Sequence, residues 1–223
     1  MQPRAGCGWA PAAPDLNLWP QDTWAAQKDA KRINLDSIDK TSIEEWKEGD
    51  LLLLSGKLLT ARDGAHKKIA DLLKKGEALP VGVNLKNKFI YYVGPVNAVR
   101  NEVIGPAGPT TASRMDQFME MMLAELGVMG TIGKAERGEN AVQTIKKYQS
   151  VYLSAVGGAA YLVSKAITSS KVVAFPELGM EAIYEFEVKD MPVMVSIDTH
   201  GKSIYSEAPS RWKNKSIPLK ASS

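Results

Sequence analysis

Three short stretches of the chain carry residues whose types and spacing could act together on a small dianion. GKLLTARDGAHKK, at 56–68, places Arg62 where an apolar run gives way to a helical pattern. GPAGPTTASRMD, at 105–116, brings Thr110 and Thr111 to a helix start and sets Arg114 in the first turn. GTIGKAERG, at 130–138, presents Lys134 among glycines after a short apolar run. A helix start offers unpaired N–H groups and the positive end of the dipole, which favour an anion. An arginine there opposes the dipole, so stability alone would select Asp or Glu. It makes sense if it must clamp a carboxylate through two parallel N–H donors. Asp63 can serve as a first-turn carboxylate, and His66 lies on the same turn. The ordinary alternatives are a threonine cap, solvated cations and a packed histidine. Three cations beside one or two hydroxyls suit a dicarboxylate.

Other chemistries find little support. Gly133-Lys134 is followed by Ala135, and position 128 is Val, so the G-x-x-x-x-G-K-[ST] phosphate loop is absent. No G-x-G-x-x-G stands at a first strand, and no Ser-His-Asp pattern is evident. The single cysteine, Cys7, excludes an internal disulfide and any metal centre built from this chain's cysteines alone. The two histidines, His66 and His200, argue against a His-rich metal site. Lys+Arg 28 minus Asp+Glu 25 leaves +3, too small a surplus to mark nucleic acid as the partner. The longest apolar run, LLLLSGKLL, is broken by Ser55, Gly56 and Lys57, and falls short of the roughly 20 residues of a membrane span.

The elements that must position these residues alternate along 223 residues. Residues 1–45 read as an N-terminal arm with Trp9, Trp19 and Trp24. Its first residues lack the apolar stretch of a secretory signal and the basic, Ser-rich character of a transit peptide. They read as a disordered leader or the remnant of a longer chain. TSIEEWKEGD is a short helix capped by Thr41 or Ser42. DLLLLSGKLLT reads as two strand pieces around a bend. A helix over 61–76 follows, then a strand at NKFIYYVGP. Met115, Phe118, Met119, Met122, Leu123 and Leu126 define an amphipathic helix closed by Gly127. VMGTIGK, VYLSAVGG and KVVAFPEL read as strands, with helices at NAVQTIKKYQS and AAYLVSKAI between them. AIYEFEVKDMPVMVSIDTHGKSIY reads as two or three strands with a turn at DTHG. The expectation is one α/β domain over 46–206 and a loose tail at 207–223. Glycine-rich turns fall at strand ends, where open α/β sheets bind ligands.

LLLLSGKLLTARDGAHKKI, YYVGPV, GPAGPTTASRMD, GTIGKAERG and GGAA, in this order, resemble the C-terminal, or β, part of class I fumarate hydratases. These are iron–sulfur hydro-lyases of the fumarase and tartrate dehydratase family. LNLWPQDTWAAQKDAKRINLDSI resembles the segment that joins the two halves of single-chain members, so the resemblance covers about 17–206. It implies a swivelling β/β/α domain with an extended N-terminal arm. That domain would close over a site made largely by an N-terminal or α part, whose three cysteines hold a [4Fe–4S] cluster. The reaction implied is reversible hydration of fumarate to L-malate. By this resemblance Thr110 takes part in proton transfer with an aspartate of the other part. Arg62, Arg114 and Lys134 bind substrate carboxylates. From their own place in the same stretches, Asp63, His66 and Thr111 are expected to stand behind them. The cluster cysteines are missing here, so the chain alone is expected to be inactive and to need its cysteine-bearing partner in a homo- or hetero-oligomer. Cytoplasmic location is expected, with the mitochondrion left open. Tartrate dehydratase and mesaconase β components are alternatives, as is a non-catalytic domain that binds a dicarboxylate or a protein.

Overall fold

The computed structural model describes residues 30–98, 102–155 and 160–206. Its centre is a seven-stranded sheet in the order β1-β2-β3-β4-β5-β7-β6. The strands are β1 (Lys31–Asn34), β2 (Leu51–Thr60), β3 (Phe89–Tyr91), β4 (Gly130–Gly133), β5 (Val151–Ser154), β6 (Ile167–Ala174) and β7 (Ile183–Ile197). Neighbours among β1 to β5 run parallel. β7 is antiparallel to β5, β6 and β2. Its pairing with β2 closes β2-β3-β4-β5-β7 into a small barrel, with β1 and β6 at the outer edges. This is the α/β architecture expected.

Closure depends on length. β7 reads as two or three strands in sequence but runs unbroken for 15 residues. Its first half pairs with β2 and β6, and its second half with β2 and β5. β2 is likewise one strand rather than two pieces around a bend. Opposite Ser55 the register shifts, Leu54 facing Met191 and Gly56 facing Val188. The extra residue therefore lies on β7, where Asp190 has φ of 51°. Ser55 Oγ accepts the Asp190 N–H at 3.0 Å, which satisfies the donor that the bulge removes from the ladder.

Side chains alternate across the sheet. Leu52, Leu54, Leu58, Phe89, Tyr91, Leu153, Phe186 and Val193 gather with Trp46 on one side. Leu59, Ile90, Tyr92, Tyr152 and Ile183 gather on the other. That second side is covered by α2 (Asp63–Lys74), α3 (Glu139–Lys147) and the segment from Ala112 onward. The stripe of that segment is as expected: Met115, Met119, Met122 and Leu123 are buried. Its winding is not. Ala112–Phe118 is a 3₁₀ helix and Met121–Glu125 a π turn.

The remaining differences are local. α1 (Lys40–Glu44) is capped by Asp39, whose carboxylate accepts the Ser42 N–H at 2.9 Å, rather than by Thr41 or Ser42. The last part of the arm, 31–44, is built into the domain: β1 pairs with β2, and Leu35 and Ile43 are buried. β6 begins at Ile167, taking residues that follow α4 (Ala160–Lys165). The DTHG turn forms, with the Gly201 N–H on the Asp198 carbonyl and Ile197 bridged to Ser203. Trp9, Trp19, Trp24, Cys7, most of GGAA and the tail from 207 lie outside the described residues. No helix among the described residues is long and apolar enough to cross a membrane.

Candidate functional site

β2, β3 and β4 all point their C-terminal ends the same way, so the loops that follow them share one end of the barrel. The first loop starts α2. Arg62 stands at its N-cap in an extended conformation, and Asp63 opens the first turn, where a carboxylate suits the dipole. Arg62 does not cap the helix. Its guanidinium passes over Gly94, where a Cβ would come 2.5 Å from Nη1, and reaches Glu181 at 3.3 Å through Nη2. Glu181 also accepts the Gly64 N–H at 2.7 Å. Arg62 is therefore held at the rim by an acid 119 positions later in the chain.

The second loop is threaded between the ends of β3 and β4. Thr110 donates its N–H to Tyr92 O at 2.7 Å and accepts from Lys134 N at 3.1 Å. Ala112 N donates to Lys134 O at 2.9 Å, and Thr111 bridges Lys134 in parallel. One of the N–H groups expected to be open for an anion is therefore spent on Lys134. Thr111 sits at the N-cap position without a side-chain capping bond. Gly133 lets the loop approach, since a Cβ there would lie 3.0 Å from both Ala112 Cβ and the Tyr92 ring.

Arg114 joins this loop to the first. Its Nε donates to Asp63 Oδ1 at 3.0 Å, and its Nη2 lies 2.8 Å from Oδ2. The two side chains are 50% and 34% exposed, although Asp63 Oδ2 itself is covered. The Lys134 side chain is exposed and has no ion-pair partner among the described residues. All three candidate stretches thus converge, Arg114 meeting Asp63 and Lys134 meeting Thr110 and Ala112.

His66 is fully buried beneath them. Its Nδ1 lies 2.8 Å from Arg62 O, and a carbonyl can only accept, so Nδ1 carries the proton. Nε2 is buried without a partner. The ring packs against Tyr92 and Phe118 at 5.5 and 5.4 Å between centroids. Burial pushes its pKa down to about 4, so it is neutral at pH 7. It supports the start of α2 from below.

An interior pair lies beneath the same loops. Arg137, buried with a side chain of zero exposure, donates from Nε to Asp116 Oδ1 at 2.6 Å. Its Nη1 reaches Thr131 Oγ1 at 3.3 Å and Tyr92 OH at 3.5 Å. The guanidinium lies 5.4 and 5.1 Å from the ring centres of Tyr92 and Tyr152. Burial opposes its charge, but Tyr92 and Asp116 outweigh it and hold the pKa up. Nothing in the spacing of GTIGKAERG distinguishes Arg137 from a surface cation. Glu181 likewise carries no sequence signal, because its partners are fixed only by the return of the chain after β6.

Comparison with known proteins places the chain in a family. The family described as Fumarase C-terminus matches residues 9–208. The chain belongs to the fumarase C-terminus family. It is 35% identical over 202 residues to Fumarate hydratase 2 of Leishmania major, covering 89% of this chain and 34% of that protein. It is 34% identical over 187 residues to the aerobic class I fumarate hydratase of Escherichia coli K12, covering 82% and 34%. It is 37% identical over 177 residues to a putative L(+)-tartrate dehydratase subunit beta of Methanocaldococcus jannaschii, covering 77% and 90%. This fumarase C-terminus chain thus spans about a third of the fumarate hydratases it matches.

A cluster does not fit this chain's own residues. One cysteine cannot supply the thiolates that such a group requires. Among the described residues, no three His, Cys, Asp or Glu are grouped so as to hold a metal ion.

Proposed function

We propose that this chain is one component of an iron–sulfur-dependent hydro-lyase that reversibly hydrates fumarate to L-malate. The observation that carries the reading is the convergence of Arg62, Thr110, Arg114 and Lys134 at one end of the barrel in a member of the fumarase C-terminus family. The [4Fe–4S] cluster would be held by a cysteine-bearing N-terminal or α part and not by this chain's residues.

The chemistry of the reading is electrostatic. Taking a proton from the carbon next to a carboxylate builds negative charge on that carboxylate. Arg62, Arg114 and Lys134 stabilise that charge when the domain swivels shut and water is excluded. Arg62 and Arg114 are pre-aimed by Glu181 and Asp63, and Lys134 is free to turn toward the substrate. Thr110, with its backbone tied on both sides, presents its hydroxyl for proton transfer. A threonine hydroxyl is a weak base, so an aspartate of the other part completes the pair. Asp63, His66 and Thr111 stand behind these residues.

A second reading, tartrate dehydration, is favoured by one observation. The match extends over 90% of the tartrate dehydratase beta subunit but 34% of the fumarate hydratases. The test is anaerobic coexpression with the cysteine-bearing part, followed by assays with fumarate, L-tartrate and mesaconate and an iron determination. Malate formation from fumarate by an iron-containing assembly is the expected result. Preference for L-tartrate would select the second reading. A folded, iron-loaded assembly inert toward all three would overturn both, and turnover by the isolated chain would overturn the need for a partner.

A further inference from the structure

We infer that Arg137 is a positioning residue that locks the loops bearing Thr110, Arg114 and Lys134 into one rigid unit, an inference that rests on the site reading above. Arg137 reaches every one of these loops. Asp116, held at 2.6 Å, lies on the same 3₁₀ helix as Arg114. Tyr92 receives the Thr110 N–H on its carbonyl and offers its hydroxyl to Arg137. Thr131 lies on β4, which leads directly to Lys134. Tyr152, whose ring flanks the guanidinium, donates its hydroxyl to Ala135 O at 2.8 Å and so fixes the residue after Lys134. Ala135 has φ of 65°, a conformation that a non-glycine residue keeps only when its surroundings impose it. Asp116 completes the lock by accepting the Gly138 N–H at 2.7 Å.

No other cation would serve. The planar fork of arginine meets a carboxylate through Nε and a hydroxyl and a phenol through Nη1, while the Tyr92 and Tyr152 ring centres lie 5.4 and 5.1 Å from it. A lysine could satisfy one of these partners at a time. A solvated arginine on a loop would touch none of them. Arg137 is instead enclosed by the segments it joins, and its Nη2 remains without a hydrogen-bond partner among the described residues. It touches no substrate in this assignment and acts through Thr110, Arg114 and Lys134.

The test uses Arg137→Lys and Asp116→Asn, singly and together. Hydrogen exchange on the full chain reads the lock without any activity. Both variants should lose protection at least tenfold over 110–114 and 133–138, while β2 and β7 keep theirs. Uniform loss of protection would overturn the inference and leave a general stability role. In the assembly with the cysteine-bearing part, KM for the dicarboxylate should rise about tenfold or more in each variant, with no further rise in the double variant, since disordered cations bind the substrate less well. An unchanged KM with only less folded enzyme would also overturn it, because a smaller active fraction lowers the maximal rate alone. If the wild-type assembly has no hydro-lyase activity, the functional reading fails, and the exchange pattern still decides whether Arg137 locks these loops.

Discussion

Arg114–Asp63 and Arg137–Asp116 are the same chemical pair in opposite settings. Arg114 and Asp116 stand two positions apart on one 3₁₀ helix, yet one points to the rim and the other inward. Arg114 is half exposed, and water competes for its guanidinium, although the Asp63 Oδ2 it meets is covered. Arg137 has no exposed side-chain surface, and its charge is balanced by a carboxylate and two aromatic rings. The exposed pair can be exchanged for a ligand at little cost. The buried pair cannot be broken without leaving a charge in the interior. A short helix can thus carry an exchangeable contact on one side and a fixed one on the other.

The largest effect should come from the fixed pair. Asp116→Ala strands the Arg137 charge, and losing one member of a buried pair costs about 3–5 kcal/mol. Urea unfolding should show this as a lower midpoint at unchanged slope. A loss below about 1 kcal/mol would place the pair with surface ion pairs and end the contrast. The next effect lies at the rim. Arg114→Ala and Lys134→Ala should each lower kcat/KM of the assembled enzyme by about 100-fold, the size seen when a preorganised charge-stabilising donor is removed. The unfolding midpoint should barely move. Thr110→Val should reduce turnover more than affinity, and normal turnover in any of the three would remove that residue from the site.

His66 gives a smaller, pH-dependent effect. Its folded pKa, near 4, lies below the ordinary value of 6.5, so the unfolded chain binds the proton first. Stability therefore falls as pH drops from 6.5 toward 4, by about 1 kcal/mol between pH 6.5 and 5.5. His66→Gln should flatten that part of the stability–pH curve. The smallest effect belongs to the exchangeable pair. Asp63→Asn should change stability by less than about 1 kcal/mol, since the half-exposed Arg114 stays solvated without its partner. A loss comparable to that of Asp116→Ala would show that the two pairs do not differ in kind.

Much of this was legible in the sequence because it rests on local pattern. Arg62, Thr110, Arg114 and Lys134 could be picked out from glycine-rich turns at strand ends and from arginines placed against a helix dipole. The buried stripe from Met115 to Leu123 followed from its spacing. The winding of that stripe did not, because periodicity near 3.6 does not separate an α-helix from a 3₁₀ helix followed by a π turn. Nor did Glu181 and Arg137 stand out, since their roles depend on contacts with distant or covered groups. Arg62 meets an acid delivered by the segment before β7, and Arg137 is recognisable only once Tyr92, Asp116 and Tyr152 surround it. The bulge at Asp190 was hidden for the same reason, its partner Ser55 lying 135 residues earlier.

That last separation bears on how the chain acquires its structure. β2 must wait for β7 before the barrel can close, and the ring cannot form from neighbouring segments alone. Contacts of such long range carry a loop-closure penalty before they return any stability, so folding should be slow relative to helical proteins of similar size. The loops after β2, β3 and β4 are synthesised well before the strand that seals their scaffold. During that interval β2 presents an unpaired edge rich in leucine, the kind of surface on which chaperones and unwanted strand pairing compete.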